Sequence, residues 1–276
     1  MNAIFISAMK LSKCMVVWVS PMKSKSVFSL SVPAYANKSW VIVATTSIVS
    51  PGHSVFKVYK SLWILLQEDN ITSLKGLHDS LIHHIAPAKA TLAWTDHQYQ
   101  ARQQWTINQL NLKAGAILIL ETNTPLDLDY GWPEKLGFYC SYQVEHNIVL
   151  PYPQVECFAT YPFSLQICGF KFAEGISRAK ALDYWRNTHA KIACENQSTL
   201  TYVLNLVTGQ SSNAFEFDGW VEEGFPNENL SDQQAFFGGK NLGDTRDRLT
   251  NITESSLHFI DMSSIFVQHY SATRII

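Results

Sequence analysis

One stretch of this sequence is written twice. Residues 55–67 (VFKVYKSLWILLQ) are rich in β-branched and aromatic side chains and read as a strand. Glu68-Asp69-Asn70 then turns the chain. Thr72 can cap a helix whose apolar positions, Leu74, Leu77, Leu81 and Ile85, recur every three to four residues. His84 stands one turn before Pro87, which cannot sit far inside a helix and marks its end. About a hundred residues on the plan returns. Residues 163–172 (FSLQICGFKF) form a strand, Glu174-Gly175 turns, Ser177 caps, and Leu182, Trp185 and Ile192 make the apolar stripe, with His189 at the intervening turn. A shift of 105 positions lays Ile71 on Ile176, Thr72 on Ser177, Lys75 on Lys180, Leu77 on Leu182 and His84 on His189. Agreement of strand, turn, cap and histidine in one ungapped register points to duplication.

Each copy continues in strands. The first carries them at 91–99, 104–110, 114–121 and 138–149, the second at 200–207, 217–225 and 264–273, with a short helix at 232–237. The order β-α-β-β-α-β describes a ferredoxin-like unit. The expected fold is therefore α+β, two such repeats in tandem. The domains are a basic, Ser-rich leader at 1–53, a first and degenerate repeat at 54–155, and a second repeat at 156–276. Prolines 125 and 133 leave the first copy little room for its second helix.

The leader is set apart by charge. Residues 1–66 hold seven lysines and no acid, whereas the rest holds 14 basic and 23 acidic side chains. Ala34-Tyr35-Ala36 has the form of a signal cleavage site, yet Lys23 and Lys25 interrupt the apolar run such a signal needs. No run approaches the ~18 apolar residues of a membrane span. A cytoplasmic protein with no membrane partner is expected. Net charge of -2 gives no electrostatic case for nucleic acid. The five cysteines, at 14, 140, 157, 168 and 194, form no C-x-x-C pair and read as buried small hydrophobes.

Cofactors are not expected. The sequence has no G-x-G-x-x-G and no P-loop, and Gly238-Gly239-Lys240 lacks the strand and helix a phosphate loop requires. His83 and His84 are adjacent on a helix, diverge by about a hundred degrees and cannot grip one metal ion. Haem, which needs a single histidine, is the group hardest to set aside from sequence.

Residues 176–193 (ISRAKALDYWRNTHAKIA) are similar to the signature helix of EthD-type proteins. Residues 217–222 (FDGWVE) resemble that family's F-D-G-x-x-E strand, and residues 259–261 (FID) its closing F-x-D segment. The resemblance covers 161–276 well and 54–150 weakly. It implies a dimeric α/β-barrel in which two ferredoxin-like sheets join around a small pocket, here within one chain. It also implies an enzyme, oxidoreductase-like by the family's lean with isomerisation and dehydration left open, working without a nucleotide cofactor on an apolar or aromatic small molecule. Two features depart from the family: His269-Tyr270 stands where an acid is common, and the first copy's matching strand, 117–120, is wholly apolar, so only the second half is expected to be equipped for polar chemistry.

The candidate site follows from these motifs. Trp185 and His189, four apart, share a helix face. A histidine at a helix end gains imidazolium stability from the dipole while burial opposes it, and an apolar stripe is also where a packed core histidine lies. On the strand, alternation puts Asp218, Trp220 and Glu222 on one face and Val221, Glu223 and Phe225 on the other. His189 and Glu222 are the expected proton-transfer pair, with Trp185, Tyr184, Trp220, Asp218, His269 and His84 lining the pocket. The competing expectation is a non-catalytic small-molecule-binding protein with the same cavity. Homodimerisation of the duplicated chain through free sheet edges stays open.

Overall fold

A computed structural model describes residues 6–11, 14–19, 58–65, 73–95, 100–112, 114–128 and 138–276. The chain divides into two units, Met1–Phe56 and Lys57–Ile276. Within the first, β1 (Ile6–Leu11) and β2 (Cys14–Val19) pair as an antiparallel hairpin, Ile6 opposite Val19. Most of the expected leader, the proposed Thr72 cap and the turn at 68–70 lie outside the described residues.

The second unit is a closed barrel. In chain order its elements are β3 (Tyr59–Leu65), α1 (Leu74–His84), β4 (Lys89–Trp94), the short β5 (Ile107–Asn108), β6 (Ala116–Thr122) and β7 (Phe138–Leu150). Then come β8 (Ser164–Phe172), α2 (Arg178–Tyr184), a π-helical turn (Trp185–His189), α3 (Ala190–Asn196), β9 (Thr201–Gln210) and β10 (Gly219–Phe225). The chain ends with α4 (Gln233–Phe236), α5 (Leu242–Leu257) and β11 (Ile260–Arg274). The sheet order is β4-β6-β3-β7-β9-β10-β8-β11, and β11 pairs back onto β4. Eight antiparallel strands thus close on themselves, with β5 attached to β11. Closure leaves none of the eight as an edge.

The order within each half is the same: second, third, first, fourth strand. The two joints also match, since β7 meets β9 and β11 meets β4, each a fourth strand against the other half's second.

The strands explain their own composition. Leu62 and Ile64 point into the lumen with Ile117, Ile119, Tyr142, Leu165, Ile167, Trp220, Phe266 and Tyr270. Trp63 and Leu65 point outward, under α1, with Leu77, Leu81, Leu118 and Leu120. Both faces are buried, so β3 shows a continuous apolar run from Leu62 to Leu65 in place of alternation. The second half has the equivalent outer layer, where Phe170, Trp185, Tyr202, Val221 and Phe259 pack beneath the helices.

Two close approaches set the inner and outer layers. A Cβ on Gly219 would lie 2.7 Å from the Trp185 ring, and one on Gly169 would lie 2.8 Å from the Trp220 ring. Each tryptophan covers a strand glycine, Trp185 outside and Trp220 inside.

Three expectations are corrected. The cap of α1 is Ser73, whose hydroxyl accepts from the Gly76 amide, and not Thr72. Ser177 does cap α2, so the cap-to-cap offset is 177 − 73 = 104, one less than the sequence register. His189 does not end a helix: α2, the π turn and α3 run on to Asn196. And 104–110 is a 3-10 turn (Gln100–Trp105) followed by the two-residue β5. The 16-residue α5 escapes a periodicity reading because its buried positions include Thr245 and Ser255. Among the described residues no helix is long and apolar enough to cross a membrane.

Candidate functional site

Glu222 lies on the lumen face of β10, two residues beyond Trp220, and is 1% exposed. Its Oε1 accepts from Lys60 Nζ and, at 2.8 Å, from Asn205 Nδ2; its Oε2 accepts from the Tyr152 hydroxyl at 2.9 Å. The lysine, 3% exposed, comes from β3 in the other half, so the ion pair spans the lumen. Burial alone would raise the carboxyl's pKa. The Lys60 charge and the hydrogen bonds from Lys60, Tyr152 and Asn205 outweigh it and hold Glu222 below the ordinary carboxylate value. A charged pair is therefore kept inside the barrel.

Lys60 lines a cleft of about 210 Å³ at one end of the barrel, together with Lys89, Glu121, His146, Tyr152 and Arg274 among others; Glu222 does not line it and is reached through Lys60 and Tyr152. Strand register accounts for the ring. Lys89, Glu121 and Lys60 sit directly opposite one another across β4, β6 and β3. His146 sits opposite Asn205 across β7 and β9. Lys89 Nζ lies 3.4 Å from Glu121 Oε1 and 5.2 Å from the centre of the Tyr152 ring. Burial, and then the Lys60 charge, lower the His146 pKa below its ordinary value, so its imidazole is neutral at pH 7. Burial and the neighbouring Glu222 raise the Tyr152 phenol well above its ordinary value, which keeps it a hydrogen-bond donor.

The first half therefore supplies Lys60, Lys89, Glu121 and His146. The expectation that only the second half is equipped for polar chemistry does not hold. The apolar strand at 117–120 ends one residue before Glu121, and a lone lysine in the apolar run of β3 was the available signal for Lys60.

The sequence-derived set is divided by the sheet. Glu222 and Trp220 face the lumen. Trp220 is fully buried against Tyr142, Phe217 and Phe266, with ring centres 5.1, 4.7 and 6.1 Å away, and does not line the cleft. His189, Trp185 and Tyr184 lie in the outer helical layer. His189 Nδ1 is 2.9 Å from Ser255 Oγ, which is 3.2 Å from the Tyr184 hydroxyl, and Phe259 packs on the imidazole. With only burial acting, the His189 pKa falls to about 4, so it is a neutral core side chain. Trp185 is fully buried edge-on to Phe170. The structure does not bring His189 to Glu222.

Asp218 anchors a helix. It accepts from the Phe172 amide at 2.9 Å and pairs with Arg178 in the first turn of α2, while Arg178 also donates to the Val207 carbonyl. His269 faces outward, 3.3 Å from Ser164 Oγ and close to Phe225 and Phe236. His84 is exposed on α1, its ring edge-on to His83. Among the described residues no group of three or more His, Cys, Asp or Glu side chains could hold a metal ion.

No protein-family model and no curated protein sequence matches the chain. Solved structures with similar backbones include an anthrone oxidase-like protein, 7% identical with a TM-score of 0.48, matched over 79% of this chain and 92% of that one. A protein described as a monooxygenase from Lactobacillus acidophilus NCFM is 9% identical, TM-score 0.42, over 79% and 94%. One so described from Fusobacterium nucleatum is 8% identical, TM-score 0.39, over 79% and 92%.

Proposed function

We propose that the barrel mouth is the site of a small-molecule enzyme that removes a proton from an apolar or aromatic substrate and stabilises the resulting oxyanion. The observation that carries this reading is Lys60, which lines an open cleft while its ammonium is paired with the buried Glu222. A buried charge pair is a poor route to stability, whereas an ammonium fixed in a dry site is well placed to hold developing negative charge. In this reading His146, neutral at pH 7, takes the proton; the electron pair moves to the substrate oxygen; and Lys60 Nζ holds that oxygen. Glu222 and Asn205 position Lys60.

The cleft is smaller than the ~300–1,000 Å³ of typical ligand pockets, which favours a substrate of about one ring or a single ring-bearing end. A resonance-stabilised anion gives up electrons more readily than its parent acid. Oxidation, with molecular oxygen as acceptor, is therefore the form of this chemistry that agrees with the resemblance to EthD-type proteins. The same reading takes the two halves as copies of one ferredoxin-like unit, joined as a pseudo-dimer.

Solvent-deuterium exchange into enolisable ketones and phenols, with parallel oxygen-uptake measurements, tests the proposal. Loss of a positioned acid–base group costs roughly 10²–10⁴-fold in rate, so His146→Ala and Lys60→Met should each fall by that order. Unchanged turnover in both would sink the mechanism; tight binding with no exchange and no oxygen uptake would leave a binding protein.

A further inference from the structure

Tyr152 belongs to the connector between the two halves, residues 151–163, of which 151–156 form neither helix nor strand. Pro151 and Pro153 flank it, and residues 151, 153 and 154 are exposed while the tyrosine turns inward. Its ring packs 5.2 Å from Tyr161 and 5.9 Å from Phe163, with the Lys89 ammonium over one face. Its hydroxyl reaches the buried Glu222 carboxylate at 2.9 Å. The surroundings of this side chain are those a binding site would provide for a hydroxylated ring: aromatic walls, a cation over the π-face and a charged acceptor at the end.

Below that contact the lumen has polar atoms to spare. Asn205 Oδ1 and Trp220 Nε1, on directly opposed residues of β9 and β10, are buried and have no hydrogen-bond partner among the described residues. An acceptor and a donor are thus left unsatisfied one strand position deeper than Glu222, a costly arrangement unless something polar can reach them.

We infer that Tyr152 is a built-in occupant of the substrate site, and that a hydroxyl-bearing aromatic ligand binds by displacing it and taking its place on Glu222 Oε2. This rests on the reading of the barrel mouth as the functional site and adds to it a ligand class and a self-inhibiting contact. The site is closed by the chain's own phenol until a better one arrives. Free Tyr152 would then stand at the cleft rim, where its flanking residues already are.

The test measures binding of 4-methylphenol, toluene and hexanoate, by calorimetry or by protein-detected NMR, to the full chain and to Tyr152→Ala, Tyr152→Phe, Glu222→Gln and Lys60→Met. A hydrogen bond to a charged group is worth roughly ten- to a hundredfold in affinity. The unaltered protein should bind 4-methylphenol in preference to toluene, Tyr152→Ala should bind it about tenfold or more tighter, and Glu222→Gln should lose the preference. If Tyr152→Ala does not fold, Tyr152→Phe, which keeps the ring and frees Glu222 Oε2, should still bind 4-methylphenol more tightly than the unaltered chain.

Equal affinity in the unaltered chain and the Tyr152 variants would show that Tyr152 is not displaced and would overturn the inference. Binding in Tyr152→Ala alone would do the same, since the tyrosine would then be a wall whose removal leaves a hole. Hexanoate binding that depends on Lys60 and ignores Tyr152 would keep the barrel-mouth reading and remove this one. Failure of every probe with every form of the protein would remove both.

Discussion

Glu222 and Glu223 are neighbours in sequence with opposite fates. Glu222, paired with Lys60, stays ionised in the lumen. Glu223 points outward, 4% exposed, with Thr199 Oγ1 donating to Oε1 at 2.6 Å and Gln166 Nε2 to Oε2 at 3.4 Å. Burial, partly offset by the Thr199 hydrogen bond, pushes its pKa to about 8. The folded chain therefore keeps that proton up to about pH 8, while the unfolded chain releases it near 4.5. Between these values the folded state binds more protons, so this residue makes stability fall as pH rises, by about 1.4 kcal/mol per pH unit. Glu223→Gln should flatten that slope and raise Tm most at pH 8, which urea titrations across the range would show. His189 works in the other window. It is neutral when folded down to about pH 4, whereas the unfolded residue protonates below 6.5, so its contribution is lost as pH falls from 6.5 to 4. His189→Leu should reduce acid sensitivity there and leave ligand binding at the barrel mouth unchanged; lost binding would return His189 to the site. For Lys60 and Glu222, removing one partner strands a buried charge and costs roughly 3–5 kcal/mol. Glu222→Leu should therefore melt far lower than the Lys60→Met/Glu222→Leu double variant, and a double-mutant cycle in urea would measure the difference.

At the scale of elements, the two helical layers differ in how legible they were. Ser177 and the stripe of Leu182, Trp185 and Ile192 marked the second layer; the structure keeps the cap and buries Trp185, while Leu182 and Ile192 are only half-buried and Ala181, Ala190 and Ala193 take the core positions. The π turn at Trp185–His189 is not legible from spacing: its extra residue shifts the buried positions beyond it to Ala190 and Ala193, where a regular helical continuation pointed to Ile192. The α1 cap moved by one residue because Thr72 and Ser73 are both good caps, and only the backbone decides between them. Ser73→Ala should cost α1 about 1 kcal/mol, readable as faster amide exchange at Leu77 and Leu81. Gly219→Ala places a methyl within 2.7 Å of Trp185; over-packing of this kind costs typically ~1–3 kcal/mol. A Trp185→Phe background, with a smaller ring, should recover part of that loss in thermal melts.

In the molecule as a whole, residues 57–276 share one lumen, filled by side chains from both halves. Variants in either half should therefore shift a single unfolding transition of this unit, with calorimetric and van't Hoff enthalpies in agreement. Two resolved transitions would show halves that fold independently. The sequence by itself determined the α+β class, the strand–helix order, most strand positions and the placing of Glu222 on the face of β10 shared with Trp220, because these depend on local periodicity and motif. It could not determine which face of each strand became the lumen, since both faces are apolar. Nor could it show that β11 returns to β4, a pairing between residues 177 apart in the case of Ser271 and Trp94. Closure decided the site: only when the sheet curls shut do Lys60, Glu121 and His146 of one half meet Glu222 and Asn205 of the other, and only then does the sheet itself stand between Glu222 and His189.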